Sequence, residues 1–132
     1  MSEPKSILKD KSFAFAIEIV KTYKVLVEEK KEYVMSKQLL RSGTSVGANI
    51  REAKNAESTN DFIHKLGISQ KECDETLYWL ELLKETEYLG HESFSRLSDQ
   101  ANQILKMIRS TILTIKQKNL KSKISYLITH IS

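Results

Sequence analysis

Glycine and proline are scarce in this chain, four and one in 132 residues. A β-sandwich needs turn signals roughly every 8–12 residues, and that fold is excluded. Cysteine is scarcer still. Cys73 stands alone, so no intramolecular disulfide and no cysteine-based zinc site can form. Within a helix it reads as a small core residue rather than a reactive thiol. No apolar run approaches the ~20 residues of a membrane span, and the N-terminus lacks the apolar core of a signal peptide. What remains is one domain of a cytoplasmic, helical protein. Its 40% hydrophobic and 29% charged residues supply one core and a solvated surface.

Acid is missing from one region only. After Asp99 there is no Asp or Glu, while Lys106, Arg109, Lys116, Lys118, Lys121 and Lys123 give +6. The first 99 residues carry 15 basic residues against 17 acidic ones and sum to −2, so the net +4 belongs to the C-terminal quarter.

Helical periodicity fills most of the chain. A first helix is predicted over about 8–29, with Phe13, Ala16, Ile17, Val20, Tyr23, Lys24 and Val27 on one face. The charged string from Glu28 to Glu32 reads as a polar connection or a solvated helix end. A second helix is expected over about 33–56. A third is expected over about 59–89, opened by the cap-like Ser58-Thr59-Asn60-Asp61. Its buried stripe is Phe62, Leu66, Ser69, Cys73, Leu77, Leu80 and Leu83, and Gly90 stands where a left-handed C-terminal cap is expected. The fourth opens at His91-Glu92-Ser93 and repeats Phe94, Leu97, Ala101, Ile104, Ile108, Ile112 and Ile115, with its regular part ending at Asn119. The segment from Lys121 to Ser132 either continues this helix or folds back. The organisation expected is a bundle over 1–118 and a basic extension over 119–132. Four amphipathic helices with short connections predict an all-α, antiparallel up-down four-helix bundle. A helix-turn-helix reader is disfavoured, since its helices are short and sharply angled.

The second helix carries an unusual surface. Gly43 and Gly47 lie four apart among Ser42, Ser45, Ala48 and Ala53. Each glycine costs a helix interior about 1 kcal/mol relative to alanine, so this face is read as the site of a close helix approach. Val25, Leu26, Leu39, Leu40, Tyr78 and Trp79 fall off the main stripes and need cover, which predicts self-association. Tyr78 and Trp79 are adjacent, so one packs inward and the other covers a surface.

Four stretches carry a family resemblance. They are Lys11-Ser-Phe-Ala-Phe-Ala-Ile-Glu-Ile-Val, Gln38-Leu-Leu-Arg-Ser-Gly-Thr-Ser-Val-Gly-Ala-Asn-Ile-Arg-Glu-Ala, Asp61-Phe-Ile-His-Lys-Leu-Gly-Ile-Ser-Gln-Lys-Glu and Glu75-Thr-Leu-Tyr-Trp-Leu-Glu-Leu-Leu. Together they resemble the bacterial four-helix-bundle proteins encoded by intervening sequences within 23S ribosomal RNA genes. That family is similar to the accessory protein of diversity-generating retroelements. The likeness covers about residues 8–117. Its signature falls here on Arg41, Ser42, Ser45, Val46, Ala48, Asn49, Ile50, Glu52 and Ala53. The resemblance implies a ring-like homopentamer, a link to structured RNA or other nucleic acid, no catalytic site and no cofactor. It often has a small residue at the place of Arg51, which makes that charge particular to this chain.

The residues themselves suggest no reaction. His64, His91 and His130 share no metal-ligand spacing, and Asp61 with His64 reads as a surface ion pair. No phosphate-binding glycine loop is present. Ser42 and Ser45 lack a neighbouring base. Asn49 either bonds Ser45, Ser69 or Gln70 and fixes register, as single polar residues do in coiled coils, or holds a ligand; the former is favoured. Glu52 and Arg41 belong to the same polar set or to an inter-subunit pair. Lys106, Arg109, Lys116 and Lys123 are compatible with one broad helical face. Clustered cations of this kind neutralise phosphates, although lysines near a helix C-terminus also complement its dipole. Two functions follow: RNA or DNA binding through this basic surface, or a scaffold for another protein.

Overall fold

The computed structural model describes residues 4–131 and places them in four helices: α1 Pro4–Glu28, α2 Met35–Ala53, α3 Thr59–Glu85 and α4 His91–Ile131. No strand occurs among the described residues. Contacts join α1 to α2, α2 to α3, α3 to α4 and α4 back to α1. The register of each pair runs in opposite directions. Gly43 and Gly47 of α2 meet Ile19 and Ser12 of α1. Arg41 and Glu52 of α2 reach Glu72 and Lys65 of α3. Cys73 of α3 bonds Ala101 of α4 while Lys84 lies over the Phe94 ring. Lys11 and Glu18 of α1 reach Gln103 and Arg96 of α4.

The α1 core stripe differs from the one the periodicity predicted. Leu8, Ser12, Phe15, Ile19 and Leu26 are buried, whereas Phe13 and Ile17 are 53% and 42% exposed. Both sets obey three-and-four spacing, so period alone does not choose between them. Ser12 hides the true stripe. A polar residue occupies the place where Gly47 passes, and the Ser12 hydroxyl donates to the Lys9 carbonyl at 3.0 Å. Leu26 and Leu39, expected to need cover from another subunit, lie in the core instead. Trp79 and Leu40 pack half-buried against it, leaving Tyr78 and Val25 exposed. On α3, Leu66, Ser69, Cys73, Leu80 and Leu83 are buried as expected.

Helix ends follow local chemistry. The Ser58 side chain accepts from the Asp61 amide at 3.1 Å, the cap expected at the start of α3. At its other end the left-handed residue is Glu87, at φ 69°, and not Gly90. The Tyr88 amide reaches the Leu83 carbonyl at 2.9 Å and the Glu87 amide that of Lys84 at 3.0 Å, the paired bonds of a Schellman ending. Gly90 serves the next helix by accepting from the Phe94 amide.

Glu32 is buried, not part of a solvated string. Its carboxylate accepts from the amides of Val34 and Met35, both at 3.1 Å, and of Ser36 at 2.7 Å. It thus satisfies the free donors that open α2. Burial pushes the Glu32 pKa up, and the bonds from Ser36, Val34 and Met35 outweigh it, leaving the group below its ordinary value.

Helix α4 does not end its regular part at Asn119 but continues without a break to Ile131. No glycine or proline follows His91, and one asparagine costs a helix only about 0.7 kcal/mol. At 1.5 Å per residue, its 41 residues span about 60 Å, far longer than α2 with 19. Asn119 still lines a shallow pocket beside the α2–α3 connection; from Leu120 to Ile131 every residue is exposed.

Candidate functional site

The outer surface of α4 gathers the C-terminal cations. Lys106, Arg109, Lys116, Lys118, Lys121 and Lys123 are all exposed. Because α4 is one helix, their directions follow from about 100° per residue. Lys106, Arg109, Lys116 and Lys123 share an arc of about 100° over roughly 25 Å, while Lys118 and Lys121 lie outside it. Arg109 approaches Asp74 of α3 at 4.0 Å. Among the described residues, the five lysines enter no ion pair. Solvated, unpaired cations in such a row can meet phosphates.

The signature residues of α2 are used within the chain. Ser42 donates to the Gln38 carbonyl at 2.9 Å, and Val46, Ile50 and Ala53 enter the core. The Val46 carbonyl accepts from Ser69 of α3 at 2.8 Å, a buried bond between helices. Asn49 is half-buried and donates to the Ser45 carbonyl, one turn back in its own helix, at 2.9 Å. The bridge between helices is therefore made by Ser69. Arg41 reaches Glu72 at 3.1 Å and also Glu75, which accepts from the Trp79 indole at 3.0 Å. Glu52 pairs with Lys65 at 3.2 Å.

Gly43 and Gly47 admit α1 of the same chain. Beside that contact a groove of about 310 Å³ is lined by Lys9, Phe13, Thr44, Ala48 and Arg51 among others. The Arg51 guanidinium lies 5.4 Å from the Phe13 ring centre. Sequence reasoning missed this groove because it assigned Phe13 to the core.

Among the described residues, the other titratable groups are held by local contacts. The Asp61 carboxylate accepts from the Glu57 amide at 3.4 Å and, among the described residues, does not pair with His64, while its backbone amide donates to the Ser58 cap. His130 bonds the Tyr126 carbonyl at 2.8 Å. Among the described residues, no three His, Cys, Asp or Glu side chains converge on a metal-sized site. Cys73 is buried and donates to the Ala101 carbonyl at 3.3 Å. Its pKa is pushed up to about 12, first by burial and then by the Asp74 charge. A thiol so held stays protonated and is a poor nucleophile. No described helix is long and apolar enough to cross a membrane.

Comparison with known proteins bears on residues 5–110, which match the family model described as 23S rRNA-intervening sequence protein. Among solved structures, the chain is similar to a Bacteroides thetaiotaomicron VPI-5482 protein of unknown function from the S23 ribosomal protein family. The identity is 54% and the TM-score 0.82, covering 83% of this chain and 98% of that one. No curated protein matches.

Proposed function

Since the chain belongs to the 23S rRNA-intervening sequence protein family, we propose that it is a non-catalytic, cytoplasmic assembly protein that holds structured RNA or DNA by its phosphates. The observation that carries this reading is the row of exposed lysines on α4, unpaired among the described residues and free of acid from Gln100 onward. Recognition of this kind rests on charge and shape rather than on base edges. The assembly in this reading is the homopentameric ring that the family resemblance implies. The outward apolar side chains Phe13, Ile17 and Val25 on α1 give copies of the chain something to cover. Several copies in one ring multiply the cationic surface and its avidity.

Mobility-shift titrations at two salt concentrations test the reading. Affinity for a duplex should fall by roughly 0.9 log unit per phosphate contact for each tenfold rise in salt. Replacing Lys116, Lys118, Lys121 and Lys123 with Gln should flatten that slope while helical circular dichroism and sedimentation mass stay unchanged. Equal binding by parent and variant overturns the α4 site. A 15.2 kDa monomer at micromolar concentration overturns the assembly.

A further inference from the structure

The apolar residues of α4 change sides along the helix. Leu97, Ala101, Ile104 and Ile108 enter the core, whereas Leu113, Leu120, Ile124, Leu127 and Ile131 are exposed. Ile124 lies about 160° around the helix from Ile108 at 100° per residue, so the second stripe faces away from the first. Its positions are 113, 117, 120, 124, 127 and 131, alternating steps of four and three. That is a heptad seam. Leu113, Leu120 and Leu127 fall at d, and Ile124 and Ile131 at a, with Gln117 the single polar a residue. Ile at a with Leu at d is the combination that favours two parallel strands. Lys116 and Lys123 flank the seam at g and Lys121 at e. The seam lies wholly beyond residue 110, where the family match ends.

We propose that this seam docks one amphipathic helix of another protein, one whose own e and g positions are acidic. Charge selects the occupant. A second copy of the seam would set Lys116 against Lys121 of the copy in a parallel pair, and lysine against lysine in an antiparallel one. Like charges at these positions oppose pairing, whereas glutamates would complement them. A lipid surface fits less well. Interfacial helices also set Leu, Trp or Phe against lysines, but a bilayer asks for no alternation of four and three, whereas this stripe keeps the narrow a/d spacing of a helix-to-helix seam; Tyr126 lies off it, stacked on His130 with ring centres 4.0 Å apart. Phosphate binding gives no use to an aliphatic stripe. Because the seam continues a helix anchored in the bundle, a partner meets it already ordered, which lowers the cost of association. The inference rests on the aliphatic seam; it shares Lys116, Lys121 and Lys123 with the nucleic-acid reading, and a variant that changes only the seam keeps the two apart.

The test uses the full chain and a labelled three-heptad peptide with Ile at a, Leu at d and Glu at e and g. Its control is a scrambled peptide of identical composition. Fluorescence anisotropy should show saturable binding of the ordered peptide and about tenfold weaker binding of the scrambled one. The double variant Leu120→Ala, Ile124→Ala should bind the ordered peptide roughly a hundredfold more weakly, because two buried aliphatic side chains are lost. Neither residue touches the core, so the variant should unfold at the parental temperature and keep its helical signal. It should also retain any salt-dependent nucleic-acid binding, which separates failure here from failure there. Equal binding of the two peptides, or undiminished binding by the variant, overturns the proposal. So does a fall in the sedimentation mass of the double variant alone, which assigns the seam to a second copy. Loss of its binding to phosphatidylserine vesicles assigns the seam to lipid and overturns the proposal as well.

Discussion

The contact between α1 and α2 and the far end of α4 are both helix surfaces with few obligatory polar partners, yet opposite constraints shape them. In the first, side-chain volume is limiting. A Cβ on Gly43 would lie 2.8 Å from Cγ1 and Cγ2 of the buried Ile19, and one on Gly47 would lie 3.2 Å from the Ser12 carbonyl oxygen. In the second, nothing in the chain limits volume, since Leu120 to Ile131 are all exposed. The difference teaches which residues answer to the fold and which answer to something the helix meets.

Substituting the tightest point should break the comparison most visibly. Gly43→Leu forces a branched side chain against Ile19, whose atoms near the backbone cannot swing aside. It should cost about 3 kcal/mol in chemical denaturation, at the upper end for overpacked cores. Gly47→Leu should cost less, about 2 kcal/mol. Only its Cβ is crowded by Ser12, while the rest of the side chain can enter the groove beside Phe13 and Arg51. Parental stability for both variants would show that the α1–α2 approach is not tight.

A smaller effect is expected at Glu32, which joins the tight contact to the start of α2. Glu32→Gln keeps one acceptor but removes the charge that faces three backbone amides, so it should cost about 1 kcal/mol at neutral pH. The Glu32 pKa is lower in the folded chain than in the unfolded one. Its contribution is therefore complete above the ordinary glutamate pKa of about 4.3 and is lost as pH falls through the lower folded value. Denaturation midpoints of parent and variant should converge at acid pH. A gap that widens there would contradict the cap.

Much of the bundle was legible in the sequence, and the reasons for the rest are specific. The α3 stripe, and the α4 stripe as far as Ile108, read correctly because the faces opposite them there are mostly polar. The α1 stripe did not, because Ile7, Phe13, Ile17 and Val25 make a second apolar face and Ser12 interrupts the first. Gly43 and Gly47 announced a close approach, but a single helix cannot reveal that its partner is α1 of the same chain. Arg41 and Glu52 were recognisable as ion-pair formers, while their partners Glu72, Glu75 and Lys65 depend on the α2–α3 register. Glycine was expected at the left-handed position after α3, and Glu87 occupies it, since the Schellman bonds fix the place while residue preference only favours glycine there. The cations of α4 were plain from the missing acids. Their geometry waited on whether the helix runs through Asn119.

The smallest effect on stability belongs to the far end of α4, and it tests the other side of the comparison. Removing the residues after Asn119 deletes exposed side chains and no core member. Free energy of unfolding should change by no more than about 0.5 kcal/mol, the range of surface changes. Helical circular dichroism should drop in proportion to the turns removed, because those turns form part of a continuous α4. The two readouts separate order from support: the segment is helical, yet the bundle does not lean on it. A loss of several kcal/mol would mean that Leu120, Ile124 or Leu127 packs against the bundle or a neighbouring copy. An unchanged helical signal would mean that the segment is not helical in solution, and a preformed seam would then be lost as well.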